Sequence, residues 1–349
     1  MANERDIEVP ALSLTWPALL PWQLAVAQGA LAQRATWPSA LLIYGQRGIG
    51  KHALALNLAQ ALLCESPRAD GLACGACASC RYAIAGQHPD LMRLELIEFD
   101  GDAGEFKAVD TIAIARVRAL IDFVQITSHR QRAKVAVIAP AERMNAQAAN
   151  ALLKTLEEPP AGTYLILVAD QPGRLPATIL SRCRRLAAPH PTTLEARGWL
   201  AAQGVAEPAA ALAQSFGAPL VAIEFADPHW QSERKVWLCA LGEQRRFDVM
   251  ALAARVDAGT RDGRRARLAR GLDWLLGWTS DLARVAAGGA PRQNPDFAPQ
   301  LEQAAGRVAP ILLFRYYGSL LRQRTLLAHP LQPRSVAEAV LIDYLALFP

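Results

Sequence analysis

Lys134-Val-Ala-Val-Ile-Ala-Pro140, Asn150-Ala-Leu-Leu-Lys-Thr-Leu-Glu-Glu-Pro-Pro160 and Leu175-Pro-Ala-Thr-Ile-Leu-Ser-Arg-Cys183 follow one another near the middle of the chain, and their reading decides the fold. The β-branched run Lys134–Ile138 predicts a buried strand. Met144, Ala148 and Leu152 recur on one face of a helix expected over Met144–Glu158. Pro159-Pro160 ends that helix by removing backbone donors and fixing φ. Tyr164–Val168 is a second apolar strand, and Arg184–Ala187 adds an edge strand. Toward the amino terminus, the apolar strand Ala40–Tyr44 runs directly into Gly45-Gln-Arg-Gly-Ile-Gly-Lys51, with a helix expected over Ala53–Leu63. Strand and helix patterns alternating from 40 to 187 predict a doubly wound α/β nucleotide-binding fold.

The run Gly45–Lys51 fits the G-x-x-x-x-G-K phosphate-binding loop. Glycines there let backbone N–H groups turn toward phosphate, and the lysine adds charge. Gly45, Gly48, Gly50 and Lys51 are therefore the candidate nucleotide contacts. Position 52 should carry a hydroxyl for magnesium, yet His52 stands there, and imidazole suits a hard, oxygen-seeking ion poorly. The strand that should end in paired carboxylates ends in Ala139-Pro140, which can hold neither metal nor water. Glu142, beyond Pro140, is not expected to substitute. For ATP or ADP two alternatives stay open: binding without hydrolysis, or a relic loop that binds nothing.

Cys64, Cys74, Cys77 and Cys80 are spaced C-x9-C-x2-C-x2-C around Gly71 and Gly75. Four soft thiolates on a glycine-rich turn can close a tetrahedron around zinc and leave no open position, so the expected metal is structural. Four free thiols or a redox pair are the alternative. His88, within Gln87–Asp90, is expected as a turn or surface residue rather than a further ligand.

Of the 349 residues 52% are hydrophobic, enough for well-packed cores and too many for a largely disordered chain. The length implies two or three domains. Met1–Pro10 is charged and lacks an apolar h-region, and no apolar run is long enough to cross a bilayer, so a cytoplasmic protein without membrane contact is expected. The formal charge of +5 lies in the last third. Scattered arginines there are better read as a solvated surface than as contacts to DNA phosphates.

Trp16, Trp22 and Trp37 surround a lead-in helix expected over Gln23–Arg34, as packing anchors. Asp90–Leu96 alternates as a strand with Met92, Leu94 and Leu96 on one face. Phe99–Lys107 reads as a polar loop, and Ala115–Thr127 as an amphipathic helix with Val117, Leu120, Ile121 and Val124 inward. Short helices over Thr192–Phe225 are followed by helices at Arg245–Asp257, Arg261–Ala287, Leu301–Val308 and Ile311–Leu327. A last helix begins on a Ser335-x-x-Glu338 capping signature, with Val336, Val340, Ile342, Leu345 and Phe348 on its apolar face.

Asn150–Pro160 followed by Ser181-Arg182-Cys183 resembles the clamp-loader branch of the AAA+ ATPases, two long motifs in the right order and separation. The resemblance covers most of the chain and is strongest over 40–187. It implies an AAA+ domain over 1–188 with a zinc module at 64–80, a small helical lid over 189–230 and an all-α collar domain over 231–349. It further implies a non-hydrolysing accessory subunit of the bacterial clamp loader. Such a subunit joins motor subunits and a delta subunit in a five-membered ring, which places the sliding clamp on primer-template DNA. Arg182 is then the finger that completes a neighbour's ATP site in trans. Two alternatives stand beside this reading: a motor subunit that hydrolyses ATP itself, and a zinc-bearing DNA-binding protein with a relic loop. His52, Ala139 and Pro140 argue against the first, and the lack of interleaved basic and aromatic residues around the cysteines argues against the second.

Overall fold

Seven strands are found among the described residues: β1 (Ala40–Tyr44), β2 (Leu91–Leu94), β3 (Ile97–Asp100), β4 (Glu105–Ala108), β5 (Lys134–Ile138), β6 (Thr163–Ala169) and β7 (Arg184–Ala187). The structure, a computed structural model, describes residues 16–100, 105–243, 247–258, 260–327 and 332–348. Five strands form one sheet in the order β2-β5-β6-β1-β7, and every pairing in it is parallel. β1 lies between the central β6 and the edge strand β7, so the loop after its carboxyl end opens where the strand order reverses, the usual ligand crevice of such sheets.

Both sheet faces are buried, as parallel sheets require. Leu41, Ile43, Val135, Val137, Ile166 and Val168 pack on α1 (Leu24–Ala32) and α2 (Lys51–Leu63), whose Ala27, Leu31, Leu54, Leu58 and Leu62 close that core. The alternate residues Leu42, Ala136, Ile138, Leu165 and Leu167 face the other way. They meet Val117, Leu120 and Val124 of α4 (Ile114–Gln125) and Ala148, Leu152 and Leu156 of α5 (Ala146–Glu157). Each fully buried leucine or isoleucine contributes roughly 2 kcal/mol of transfer free energy. Asn145 caps α5 by accepting the N–H of Ala148 at 2.8 Å. Between α2 and β2 lies the short α3 (Ala78–Ile84), and α6 (Ala177–Leu180) precedes Ser181–Cys183.

The Phe99–Lys107 stretch is not a loop. β3 and β4 pair antiparallel, Ile97 opposite Ala108, as a hairpin apart from the main sheet, with 101–104 outside the described residues. The Asp/Gly-rich middle of the stretch hid the pairing, although the register sets Phe99 opposite Phe106.

The chain divides into two compact units, 12–199 and 200–349. After α7 (Thr193–Ala202), the second unit is helical: α8 (Pro208–Gln214), α9 (Pro219–Phe225), α10 (Pro228–Gly242), α11 (Val249–Ala254), α12 (Arg261–Ala286), α13 (Ala298–Ala305), α14 (Pro310–Leu326) and α15 (Pro333–Leu345). Its core gathers Trp237, Trp274, Trp278, Tyr316 and Tyr344 around α12. The Trp278 indole donates to Tyr344 Oη at 2.8 Å, and that hydroxyl donates to the Leu241 carbonyl at 2.8 Å. The helix expected over Arg245–Asp257 is shorter, beginning after the Asp248 cap, and Arg245 and Arg246 lie outside the described residues.

Ser335 does not cap α15. Pro333, with φ already set for a helix, starts it two residues earlier, and Glu338 instead accepts from Arg334 Nε at 2.9 Å. The buried stripe is Ala337, Val340, Leu341 and Tyr344, at helical spacing, which leaves Ile342 exposed rather than inward. No helix among the described residues is long and apolar enough to cross a membrane.

Candidate functional site

The loop between β1 and α2 has the backbone of a phosphate cradle. Gly45, Gly48 and Gly50 all take positive φ, and Gly50, the N-cap of α2, sits at +90°. A Cβ there would lie 2.1 Å from Leu20 Cδ1, so glycine is needed for conformation and for space alike. The segment before α1 clamps the loop's carbonyls. Trp22 Nε1 donates to Ile49 O at 3.0 Å, and Gln23 Nε2 donates to Ile49 O at 3.2 Å and Gly50 O at 2.7 Å. Trp22 is thus an anchor, as expected, while the part played by Gln23 carried no signal in the sequence.

Lys51 is buried, its ammonium 2.5 Å from Gln46 O and 2.6 Å from Asp170 Oδ1. Asp170 follows β6, and its N–H and that of Gln171 donate to Glu142 Oε1 at 2.8 and 3.0 Å. Glu142 therefore secures the loop that carries Asp170, while its second oxygen is buried without a hydrogen-bond partner among the described residues.

Where magnesium would need a hydroxyl and carboxylates, the chain places an ion-pair cluster. His52 Nε2 lies 3.1 Å from Glu95 Oε1, and Arg93 Nε donates to the same oxygen at 2.5 Å. Burial alone would push the Glu95 carboxyl up, but the His52 hydrogen bond and the Arg93 guanidinium hold it down to about 2. Ala139 is buried in the α2-side core and donates its N–H to Leu94 O at 2.9 Å. At that strand end the chain presents a methyl group and a proline where a water-orienting carboxylate would stand.

The four cysteines converge at the other end of α2. Cys64 is its C-cap, Cys77 is the N-cap of α3, and all four Sγ atoms lie within 4.8 Å of one another. The closest pairs are Cys64–Cys74 at 3.6 Å, Cys64–Cys77 at 3.9 Å and Cys74–Cys80 at 3.9 Å, far beyond the roughly 2.05 Å of a disulfide. Gly71 and Gly75 supply the positive-φ turns expected of them, at +82° and +75°. Backbone N–H groups of Ala76 and Cys77 point at Cys74 Sγ and hold its thiol down to about 6, whereas burial raises Cys64 and Cys80. The cluster is a set of four soft donors able to bind a metal.

His88 is no surface residue. It is buried, its Nδ1 accepts the Asp90 N–H at 3.0 Å, and Nε2 therefore carries the proton given to Ser79 Oγ at 2.6 Å. Ser79 in turn donates to Leu63 O at 2.8 Å, which ties α3 to the carboxyl end of α2. Burial lowers the His88 pKa, in keeping with a neutral ring. It is not among the four clustered donors.

Arg182 stands after α6 with its side chain 30% exposed. Its Nε donates to Glu157 Oε1 at 2.6 Å, with Nη2 on the same oxygen, and Nη1 donates to Thr178 O at 2.8 Å. The two motifs Asn150–Pro160 and Ser181–Cys183 thus meet through this ion pair.

A family profile described as DNA polymerase III, delta subunit matches residues 25–191. The DNA polymerase III subunit delta' of Yersinia pestis is 35% identical over 311 residues, which cover 84% of this chain and 85% of that one. The chain belongs to the DNA polymerase III delta-prime family. The delta' subunit of Pseudomonas aeruginosa is 45% identical over 208 residues, 58% of this chain and 60% of its own length. A DNA polymerase III subunit tau from Salmonella typhimurium is 42% identical over 144 residues, 41% of this chain but 20% of its own. Likeness to the Yersinia delta' sequence thus extends over far more of both chains than likeness to tau does.

The arginines of the helical unit are largely engaged within it. Arg234 pairs with Asp296 and Asn294, Arg255 with Glu233, Arg264 with Asp257, Arg324 with Asp273, and Arg334 with Glu338. Arg265 donates to Leu327 O at 2.6 Å, and Arg270 lies over the rings of Phe225 and Trp230. Many arginines of this region thus have structural partners, while ion pairs with its own acids leave the net positive charge of the region unchanged.

Proposed function

We propose that the chain is the non-hydrolysing accessory subunit of the clamp loader. It sits in a five-membered ring with motor subunits and a delta subunit, and helps place the sliding clamp on primer-template DNA in the cytoplasm. One observation carries this reading: the positions that would hold metal and orient water carry residues unsuited to either task, and the phosphate-binding lysine is already paired. His52 is paired with Glu95, Ala139 is buried, Pro140 follows, and Lys51 is paired with Asp170. A motor subunit would need a carboxylate for metal and water, and the nearby Glu95 is committed to His52 and Arg93.

What the chain offers its neighbour is Arg182. Phosphoryl transfer spreads negative charge over equatorial oxygens, and a guanidinium supplied in trans neutralises it with a planar fork. In this reading the finger rests on Glu157 and exchanges that carboxylate for the neighbour's phosphate. The 231–349 helices act as the collar, with 189–230 as the lid.

Zinc fits the four cysteines. A Zn–S bond of about 2.3 Å gives tetrahedral S–S edges of about 3.8 Å, and the closest edges here are 3.6–3.9 Å. Four thiolates leave no open position, so the metal would brace the module without entering chemistry.

The test is a reconstituted ring carrying Arg182→Ala. Folding and assembly should be unchanged, while DNA-stimulated ATP turnover and clamp loading fall. Known fingers contribute about 10³–10⁵ at their own site, and a ring whose other sites keep theirs should lose less. Arg182→Lys should rescue poorly, since an ammonium lacks the fork. Normal loading by the Arg182→Ala ring would leave Arg182 as the structural partner of Glu157 and nothing more.

A further inference from the structure

We propose that Asp170 is a built-in counter-ion that keeps the phosphate-binding loop closed to polyphosphates, so that neutralising it opens the loop to nucleoside diphosphates without metal. The inference rests on reading Gly45–Lys51 as a nucleotide cradle that no longer hydrolyses.

The Lys51 side chain is only 3% exposed, and a buried ammonium persists only where opposite charge and carbonyl oxygens compensate it. Asp170 Oδ1 at 2.6 Å and Gln46 O at 2.5 Å do so here. Asp170 is also held in place, because its N–H and that of Gln171 are both fixed on Glu142 Oε1. An incoming phosphate must displace this carboxylate from the lysine and then lie near a like charge whose backbone stays fixed beside the loop.

The cradle itself does not depend on Asp170. The carbonyls of Ile49 and Gly50 are held from the other side by Trp22 and Gln23, and the positive φ of Gly48 and Gly50 comes from glycine. Removing one negative charge therefore frees Lys51 and lifts the repulsion while the loop keeps its shape. Asp170→Asn is close to isosteric and leaves the backbone bonds to Glu142 untouched.

Calorimetric titration of the full chain with ADP and, separately, with pyrophosphate, without added magnesium, tests this. The wild type should show no saturable binding at millimolar ligand. Asp170→Asn should bind both at least about tenfold more tightly, and Asp170→Asn with Lys51→Ala should lose the gain. Asp170→Ser serves the same purpose if the asparagine variant melts early. The proposal is overturned if a folded neutral variant binds no better than the wild type, or if the gain survives without Lys51. ATP hydrolysis by Asp170→Asn above the double variant would instead defeat the non-hydrolysing reading and leave the counter-ion role standing.

Discussion

Helix α2 carries a phosphate-loop motif at its amino end and a four-cysteine module at its carboxyl end, only 13 residues apart, and the two ends differ in what their side chains already hold. At the amino end the chain satisfies itself: Lys51 by Asp170 and Gln46, His52 by Glu95, the Ile49 and Gly50 carbonyls by Trp22 and Gln23. At the carboxyl end Cys64, Cys74, Cys77 and Cys80 meet, among the described residues, one another and nearby backbone amides, at spacings a tetrahedral metal would span. A motif names the ligand a loop could take. The partners of its side chains decide whether that ligand has a place.

The contrast can be broken most sharply at the cysteine end. Cys64→Ser should release about one zinc per chain and loosen residues 64–80, costing about 4 kcal/mol or more of stability. Metal analysis alongside urea unfolding checks this, and an unchanged midpoint in a metal-free wild type would remove the metal from the comparison. At the other end Gly50→Ala should cost about 3 kcal/mol, since its Cβ would lie 2.1 Å from Leu20 in a positive-φ backbone.

Glu95→Gln should cost less, about 2 kcal/mol at neutral pH, and its pH dependence has a defined sign. The folded Glu95 carboxyl is held at about 2 against an ordinary value of 4.5, so the stability it contributes is fully present above about pH 4.5. It is lost as pH falls through 2. The gap in urea midpoint between wild type and variant should therefore narrow between pH 4.5 and 2, and a gap independent of pH would remove the ion pair from the account of this corner. The smallest effect is expected from Trp22→Phe, which removes one donor to Ile49 O at a cost of about 1 kcal/mol in unfolding free energy.

The sheet and its two cores were legible because parallel strands buried on both faces are apolar runs, and those of β1, β5 and β6 stand out. The cysteine cluster was legible because its donors lie within 17 residues of sequence, close enough for spacing to imply geometry. The plugged nucleotide corner was not. Gln23, Glu95 and Asp170 reach the loop from three separate segments, and nothing in a local pattern shows which carboxylate a buried lysine will meet. His88 misled for the same reason: its turn context is local, whereas its Ser79 partner, itself bonded to Leu63 O, comes from another element. The inward face of α15 was misjudged in part: Val336, Val340 and Phe348 do pack on the core, but Ile342 is as apolar as the Leu341 that is buried in its place. Only packing against α11 and α12 chooses between the two.

The claim beneath these comparisons is that this chain performs no hydrolysis of its own. The most direct measurement is steady-state ATP turnover by the purified chain with magnesium, set against Lys51→Ala as control. The expected result is identical background rates for both, and Ala139→Asp with Pro140→Glu should not restore turnover unless His52→Thr is added. Turnover by the wild type above the Lys51→Ala control would contradict the account.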